Sequence, residues 1–321
     1  MNLSILGCGE MGAELAWGFS TRGCGINWLY DPDVEKAQTL ATRLAWRNIL
    51  PPQIAQTQEE ALADPEVDAV VVASYDDLHG EQVLAALRQG KHVFCEKPLC
   101  TRESELREIM TEAQERKLLV RSNLIVKKAP GYAQLRELIA KGTLGRIYAI
   151  EMEYRYGKKE KLLQGWRRYR PDYSILLGGG VHMIDLLLFL TAAKPVSVMA
   201  HGSNICTRPD GFPHLDYVVG QCFFPDGLIA TVTANGCCTI PHQHVVRVYG
   251  RWGSFETTPQ RTGNLWQQDG SRKWFPYALG APKTALLSEF MAGVEYPEQE
   301  TIEVCLAMER SLVIQDNVRV V

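Results

Sequence analysis

The chain has 321 residues, of which 46% are hydrophobic, and a formal net charge of -3. This length predicts one large or two ordinary domains, and the slight acidity argues against a general nucleic-acid or anionic-membrane binder. No apolar run approaches the roughly 18–20 residues that cross a bilayer. Because the first predicted strand begins at the N-terminus and the nine cysteines form no C-x-x-C pair, we expect a cytoplasmic protein without a signal peptide.

The first part of the chain, residues 1–122, alternates between predicted strands and predicted helices. Such alternation is typical of an α/β fold with a doubly wound parallel sheet, which binds its ligand at the carboxyl ends of the strands. The predicted strands are 1–6, 26–30, 67–73, 91–95 and 118–120, and the predicted helices are 10–22, 33–46, 57–62, 79–89 and 101–117.

The turn between the first strand and the first helix is a G-x-G-x-x-G motif. Gly7 permits a tight turn, Gly9 lets the backbone approach a pyrophosphate, and Gly12 allows close packing of helix on strand. Asp31 ends the second strand, near the usual spacing of about 20 residues for a carboxylate that binds the adenosine ribose. This carboxylate repels a 2′-phosphate, so the motif predicts a Rossmann domain for NAD(H) rather than NADP(H). The expected contacts within the motif are Gly7, Gly9, Glu10, Met11 and Gly12.

The second part, residues 123–321, has a different pattern. Alternating runs joined by turn residues such as Pro225-Asp226-Gly227 predict an α+β domain with a large, open and mainly antiparallel sheet. The predicted strands are 146–155, 196–203, 216–224, 228–233, 244–249 and 253–257, and the predicted helices are 130–141, 180–192, 283–292 and 299–315.

Five segments carry a resemblance to a known family: 7–12, 73–79, 90–98, 142–147 and 178–185. The most specific is Glu-Lys-Pro at 96–98, preceded by Gly-Lys-His-Val. Through these segments the chain resembles the Gfo/Idh/MocA oxidoreductases, relatives of glucose–fructose oxidoreductase and inositol dehydrogenase, over essentially its full length. The resemblance implies an NAD-dependent dehydrogenase or reductase acting on CH–OH groups, with a small sugar-like substrate and a homodimer or homotetramer formed through the sheet of the second domain.

The resemblance also implies roles for individual residues. Lys97 matches a residue beside the nicotinamide and the reacting carbon, where it orients a hydroxyl or helps to deprotonate it. His182 matches the acid/base, and Asp185 holds its imidazole or binds substrate. The further implied cofactor contacts are Ser74, Tyr75, His79, Glu96 and Pro98.

Two departures from the family pattern put the substrate in question. Gly178 stands where many polyol and sugar dehydrogenases carry an aspartate. Either Asp172 or Asp185 replaces that carboxylate, or the site orients its substrate differently. Ser74-Tyr75-Asp76 replaces a more usual Thr-Pro-Asn or Thr-Pro-Asp.

A basic, aromatic stretch at 154–170 is either a solvated face or a surface for an anionic, sugar-like substrate. The candidate substrate residues are Arg155, Trp166, Arg167, Tyr169 and Asp172.

The segment Cys237 to His244 contains ligand types of a zinc site, but its spacing matches no usual structural pattern. We therefore expect no metal, and read the segment as a strand or a substrate-facing loop.

Two other functions remain open for the chain as a whole. One is an NAD-dependent lyase or glycosidase that oxidises its sugar transiently, and the other is a non-catalytic NAD-binding regulator, for which we would expect Lys97 or His182 to be lost.

Overall fold

The computed structural model describes residues 1–47, 49–296 and 298–320. The chain separates into two compact units, one of residues 1–124 with 282–299 and the other of residues 125–281 with 300–321. The sequence-based division after residue 122 stays a prediction, because compactness alone does not define an independently folding domain.

The first unit contains the predicted doubly wound sheet. Its strands are β1 (Asn2–Leu6), β2 (Gly25–Tyr30), β3 (Gln53–Ile54), β4 (Ala69–Val72), β5 (His92–Cys95) and β6 (Val120–Ser122), and its helices are α1 (Glu10–Ser20), α2 (Val34–Ala45), α3 (Gln58–Ala63), α4 (His79–Arg88) and α5 (Glu103–Arg116). All strand pairs are parallel, in the order β3-β2-β1-β4-β5-β6. The order reverses at β1, so the carboxyl ends of β1 and β4 flank the crevice where such sheets bind ligands.

The last strand of this sheet begins two residues later than the sequence predicts. Lys117 adopts a left-handed φ of 56° and ends α5, and the Leu118 amide still bonds to the Ala113 carbonyl of that helix. Residues 118 and 119 therefore complete the helix terminus, and the strand occupies Val120–Ser122.

The second unit is built on the predicted large, mainly antiparallel sheet, which has nine strands where the sequence predicted six. Its strands are β7 (Ile147–Arg155), β8 (Ser197–Ser203), β9 (Tyr217–Phe223), β10 (Ile229–Asn235), β11 (Gln243–Gly250), β12 (Gly253–Thr257), β13 (Gly263–Gln267), β14 (Arg272–Phe275) and β15 (Val318–Arg319). Beyond residue 124 the helices are α6 (Pro130–Ala140), α7 (Lys159–Leu163), α8 (Val181–Thr191), α9 (Leu287–Met291) and α10 (Glu298–Ile314). Strand order is β14-β13-β12-β11-β7-β10-β9-β8-β15, and every pair is antiparallel except the parallel pair β7 and β10.

One face of this sheet is buried. In β7 the side chains of Ile150, Met152 and Tyr154 are buried, whereas the residues between them are partly or fully exposed. Successive side chains of a strand point to opposite faces, so these three lie on the core face. The apolar helix α8 follows a π-helical turn at Leu176–Gly180, and most of its residues are buried. No helix within the described residues is long and apolar enough to cross a membrane.

Residues 282–299 complete the core of the first unit. Phe290 in α9 packs edge-on against Phe19 and Phe94, with ring centroids 6.0 and 5.4 Å apart. Beside this aromatic cluster, the fully buried Arg121 lies 3.0 Å from a carboxylate oxygen of Glu289 and 3.2 Å from one of Glu298. The parallel sheet thus depends on a segment that the chain supplies more than a hundred residues later.

Candidate active site

In the glycine-rich turn of the first unit, two positions can hold only glycine, and the third has open space beside it. Gly7 has a φ of +95°, and a Cβ on it would lie 2.5 Å from the Ala73 carbonyl oxygen. A Cβ on Gly12 would lie 1.9 Å from the Gly7 carbonyl oxygen, whereas one on Gly9 would meet no protein atom within 4 Å. The space over Gly9, at the start of α1, therefore fits the pyrophosphate of a dinucleotide.

Asp31 is fixed beside this turn. Its Oδ2 accepts a hydrogen bond from the Cys8 amide at 2.8 Å, and its Oδ1 accepts one from the Asp33 amide at 3.0 Å. Each carboxylate oxygen has a second lone pair, so the group can still accept ribose hydroxyls. Burial, helped by the Asp31 charge, raises the pKa of the Cys8 thiol to about 12, so this thiol stays neutral at the turn.

Lys36 is a cation close to this carboxylate. Its Nζ lies 3.1 Å from Asp33, and that hydrogen bond, with a weaker contribution from the Asp31 charge, raises the pKa of Lys36. The sequence argument for NAD over NADP rested on the Asp31 carboxylate and took no account of a nearby cation. Lys36 was missed because it sits one turn into α2.

His79 joins the two loops that follow β4 and β5. Its imidazole is buried, with Nδ1 2.6 Å from the Pro98 carbonyl oxygen and Nε2 3.4 Å from that of Ser74. The Ser74 hydroxyl in turn donates to Gln82 Oε1 at 2.5 Å. His79 therefore holds in place the backbone on which Ser74 and Tyr75 stand, and its expected contact with the cofactor stays a prediction.

The Glu-Lys-Pro segment is anchored through its first member. Glu96 is buried, and its Oε1 accepts a hydrogen bond at 2.7 Å from the side-chain amide of Asn123, which also donates to the Lys283 carbonyl at 3.1 Å. The Lys97–Pro98 peptide is cis, and the Lys97 side chain is half-buried. Asn123 was missed, although it directly follows β6, and Glu96 directly follows the neighbouring strand β5.

In the second unit, His182 and Asp185 lie one turn apart on α8. Asp185 Oδ1 accepts hydrogen bonds from Lys127 Nζ at 2.8 Å and from the Thr301 hydroxyl at 3.4 Å. The described contacts of this carboxylate thus lead to a buried lysine and a threonine, and its expected role of holding the His182 imidazole stays a prediction. Nothing in the local sequence around Lys127 signalled this pair.

The half-buried imidazole of His182 belongs to a group of five rings, here called the histidine–tyrosine cluster: Tyr154, Tyr156, His182, His242 and His244. His182 and His244 have centroids 6.1 Å apart, and His244 stacks on Tyr154 at 5.7 Å. Burial, with smaller contributions from His242 and Arg261, lowers the pKa of His244 to about 3. Burial also lowers the pKa of His242, so both neighbours are neutral imidazoles.

Gly179 is required by the same cluster. A Cβ on this residue would lie 2.2 Å from Cε1 of Tyr154, so the tyrosine ring packs directly on the backbone before α8. Close approach at this glycine therefore serves the packing of Tyr154. Gly178, which stands where the family pattern has an aspartate, is half-buried.

Of the five candidate substrate residues, Arg167 contacts this cluster, and Trp166 contacts Arg167. The Arg167 guanidinium lies 4.5 Å from the ring centroid of Trp166 and 5.8 Å from that of Tyr156. Both residues belong to a short 3₁₀ helix that follows α7. The structure thus places Arg167 next to Tyr156 of the cluster, with Trp166 on Arg167.

The other three candidates lie apart from these contacts. Arg155 binds Glu153 through two nitrogens at 2.8 and 2.7 Å, and it follows Tyr154 in β7, so its side chain leaves from the opposite face of the sheet. Tyr169 and Asp172 are exposed. Their part in substrate binding stays a prediction.

Comparison with known proteins places the chain in a family. Residues 1–124 match the sequence model described as "Oxidoreductase family, NAD-binding Rossmann fold", and residues 132–256 match the GFO/IDH/MocA C-terminal domain. The chain belongs to the GFO/IDH/MocA oxidoreductase family, which confirms the resemblance seen in its sequence.

Individual relatives in this family have different names. The chain is 36% identical over 174 residues to a 1,5-anhydro-D-fructose reductase of Ensifer adhaerens, a match of 54% of this chain and 51% of the relative. It therefore spans about half the length of that relative. It is 26% identical over 277 residues to a 2,7-anhydro-N-acetylneuraminate hydratase of Escherichia coli (strain K12), covering 86% of this chain and 72% of the relative.

Solved structures share the fold. A levoglucosan dehydrogenase in complex with NADH and L-sorbose superposes with a TM-score of 0.85 at 17% identity, covering 100% of this chain and 99% of that one. At 17% identity this likeness shows a shared fold and no more.

Proposed function

We propose that this protein is an NAD(H)-dependent oxidoreductase that transfers a hydride between the nicotinamide and a secondary alcohol or ketone of a sugar, polyol or sugar derivative. The observation that carries the proposal is the open space over Gly9. The other two positions of this turn can hold only glycine, and the Asp31 carboxylate is fixed beside it. The family of the chain and the names of its relatives support the same chemistry.

The nucleotide is held by residues of the first unit. The amides at the start of α1 bind the pyrophosphate, and Asp31 binds the adenosine ribose and disfavours a 2′-phosphate. NAD, when bound, supplies the hydride acceptor or donor. Lys97 orients the reacting hydroxyl and favours its deprotonation through its positive charge.

His182 takes or returns the hydroxyl proton. The neutral imidazoles of His242 and His244 add no positive charge beside it, so His182 can accept a proton without repulsion from a neighbouring imidazolium. Trp166 and Arg167 bind the remainder of the substrate, since an indole face suits a sugar ring and a guanidinium suits a carboxylate or phosphate. The preferred substrate is therefore a sugar derivative that carries an anionic group.

The test begins with nucleotide binding and then measures turnover. NAD+ and NADP+ are titrated against the wild type and Asp31→Asn, and sugars, inositols and sugar acids are screened for reduced nicotinamide. We expect tighter binding of NAD+ in the wild type and a smaller preference in the variant. His182→Gln should lower kcat by about 10²–10⁴-fold with NAD+ affinity unchanged. His201→Gln, at an exposed histidine of β8, is the matched control.

A second function has specific support. The hydratase relative in Escherichia coli is named for a reaction without net oxidation, which favours an enzyme that oxidises its sugar transiently and then reduces it again. Such an enzyme requires NAD+ for conversion of an anhydro sugar or glycoside but accumulates no NADH. Failure to bind either nucleotide would contradict both functions. Binding without conversion of any sugar would favour the non-catalytic regulator.

We also propose that the chain forms a homodimer or homotetramer. The sheet face opposite the core carries partly exposed apolar side chains, among them Val219 and Phe223 in β9 and Tyr249 in β11. Light scattering at several protein concentrations tests the assembly, and a monomer throughout that range would contradict it.

A further inference from the structure

Three neighbouring strands of the second unit begin or end at the same end of its sheet. Strands β8, β9 and β10 are antiparallel neighbours, and the pairs Ser203↔Tyr217 and Tyr217↔Asn235 align the end of β8, the start of β9 and the end of β10. The residues just beyond these ends therefore come together. Cys206, Asp216 and Cys237 are three such residues, and their potential ligand atoms all lie within 4.8 Å of one another.

Asp216 is a buried carboxylate in a fixed orientation. The residue is 2% exposed, and its Oδ2 accepts hydrogen bonds from the Thr207 amide at 2.7 Å and the Thr207 hydroxyl at 2.8 Å. In the described part of the chain, residues 1–47, 49–296 and 298–320, no lysine or arginine forms an ion pair with it. A buried carboxylate is ordinarily paired with a cation or bound to a metal.

The two thiols differ in their access to solvent. Cys206 is exposed, whereas Cys237 is half-buried. Burial raises the pKa of Cys237 well above its ordinary value, and the Cys206 thiol and the Asp216 carboxylate raise it further. The Lys159 ammonium interacts electrostatically with both thiols. Its Nζ forms an ion pair with Asp210 Oδ2 at 2.7 Å. The cluster thus gathers two soft donors and one hard donor at a single point.

We propose that Cys206, Asp216 and Cys237 bind a thiophilic divalent cation, with Zn²⁺ as the reference ion and a water molecule at the fourth position. Zinc accepts thiolate at about 2.3 Å and carboxylate at about 2.0–2.2 Å in tetrahedral geometry, so ligand atoms this close together need only small shifts to reach it. The exposed side of Cys206 admits the ion and its water.

Binding involves no redox step. Each thiol gives its proton to solvent as its sulfur bonds to the cation, so affinity falls as the pH is lowered. The bound ion ties together the ends of β8, β9 and β10, and it compensates the buried charge of Asp216. The site is independent of the proposed oxidoreductase function.

The experiment is a Co²⁺ titration of the full-length protein after treatment with a chelator and a thiol reductant. We expect visible ligand-field bands and a near-ultraviolet thiolate-to-cobalt band that saturate at one ion per chain, and Zn²⁺ should displace the cobalt. A pH indicator should report release of about two protons per Zn²⁺ near neutral pH.

Matched cysteine variants identify the ligands. Cys206→Ser, at an exposed position, should abolish the charge-transfer band without loss of fold. Cys238→Ser, at the adjacent cysteine outside the cluster, should retain it. The proposal is overturned if the wild type binds no stoichiometric cobalt, or if both variants lose the band equally. It is also overturned if peroxide joins Cys206 to Cys237 as a disulfide in a protein that binds no metal when reduced.

Discussion

Lys127 Nζ lies 2.8 Å from Asp185 Oδ1, and both side chains are only 1% exposed. This buried ion pair anchors α8 one turn after His182, the proposed acid/base. A charge pair in the interior is costly to break, because the partner left behind remains buried without compensation. The pair therefore fixes the helix that carries the proposed catalytic histidine.

Removal of the lysine charge should destabilise the protein strongly. We expect Lys127→Met to lower the free energy of unfolding by about 3–5 kcal/mol, because Asp185 loses the cation beside it. Urea unfolding followed by circular dichroism measures the change. The double variant Lys127→Met/Asp185→Leu should recover most of the loss, and a single variant as stable as the wild type would contradict the assignment.

Two glycines of the nucleotide-binding turn should respond differently to a single methyl group. Gly12→Ala places a Cβ against the Gly7 carbonyl and should cost about 1–3 kcal/mol of stability. Gly9→Ala adds a methyl group to open space, so it should change stability by about 1 kcal/mol or less. It should nevertheless weaken NAD+ binding by about tenfold or more, equivalent to about 1.4 kcal/mol.

The measurements are thermal unfolding and a fluorescence titration with NAD+ for each variant. The contrast between them is the informative result. If Gly9→Ala binds NAD+ as tightly as the wild type, the space over this residue does not hold the pyrophosphate.

Acidification should destabilise the protein through His244. Its native pKa of about 3 lies below the ordinary value of 6.5, so the unfolded chain binds the additional proton between these two values. Stability then falls as the pH drops from about 6.5, by about 2 kcal/mol at pH 4.5, since each pH unit contributes up to about 1.4 kcal/mol.

The control for this pH dependence is His244→Gln, which cannot titrate in this range. Urea midpoints between pH 7 and 4.5 should decline less steeply in the variant than in the wild type. His242 and His214 also have lowered pKa values, so both proteins should still lose some stability at low pH. Equal slopes would show that His244 is not held neutral by burial.

Phe290 should be as important to stability as any residue of the N-terminal core. It is fully buried and contacts Phe19 and Phe94, so Phe290→Ala should cost about 3–5 kcal/mol. Val313→Ala, at an exposed position of α10, should be nearly neutral. A small loss at Phe290 would mean that the segment 282–299 contributes little to this core.

Local sequence patterns predicted the elements with strong periodicity and missed those that depend on distant partners. The apolar run of β4 and the alternation of β9 and β10, with their turn at 225–227, appear as predicted. Strands β13 and β14 were missed because their mixed polar composition resembles a loop until β13 pairs with β12 and β14 pairs with β13. The parallel pairing of β7 with β10 also has no local signal, since it joins strands that are distant in the chain.

The same limit applies to the candidate site. The glycine turn and Asp31 could be recognised because a short spacing defines them. The contact between His182 and His244, and the ion pair between Lys127 and Asp185, join residues far apart in the chain. The predicted helix at 283–292 is only Leu287–Met291 in the structure, and its place in the aromatic core depends on Phe19 and Phe94, which lie far earlier in the chain.

The aromatic and ionic contacts of residues 282–299 have a consequence for biosynthesis. A nascent chain synthesises the glycine-rich turn long before it synthesises Glu289, Phe290 and Glu298, which contact Phe19, Phe94 and Arg121. A product truncated anywhere between residues 125 and 281 exposes an unfinished apolar core and leaves a buried arginine without its carboxylates. We therefore expect premature termination to yield a substrate for proteolysis rather than a stable fragment.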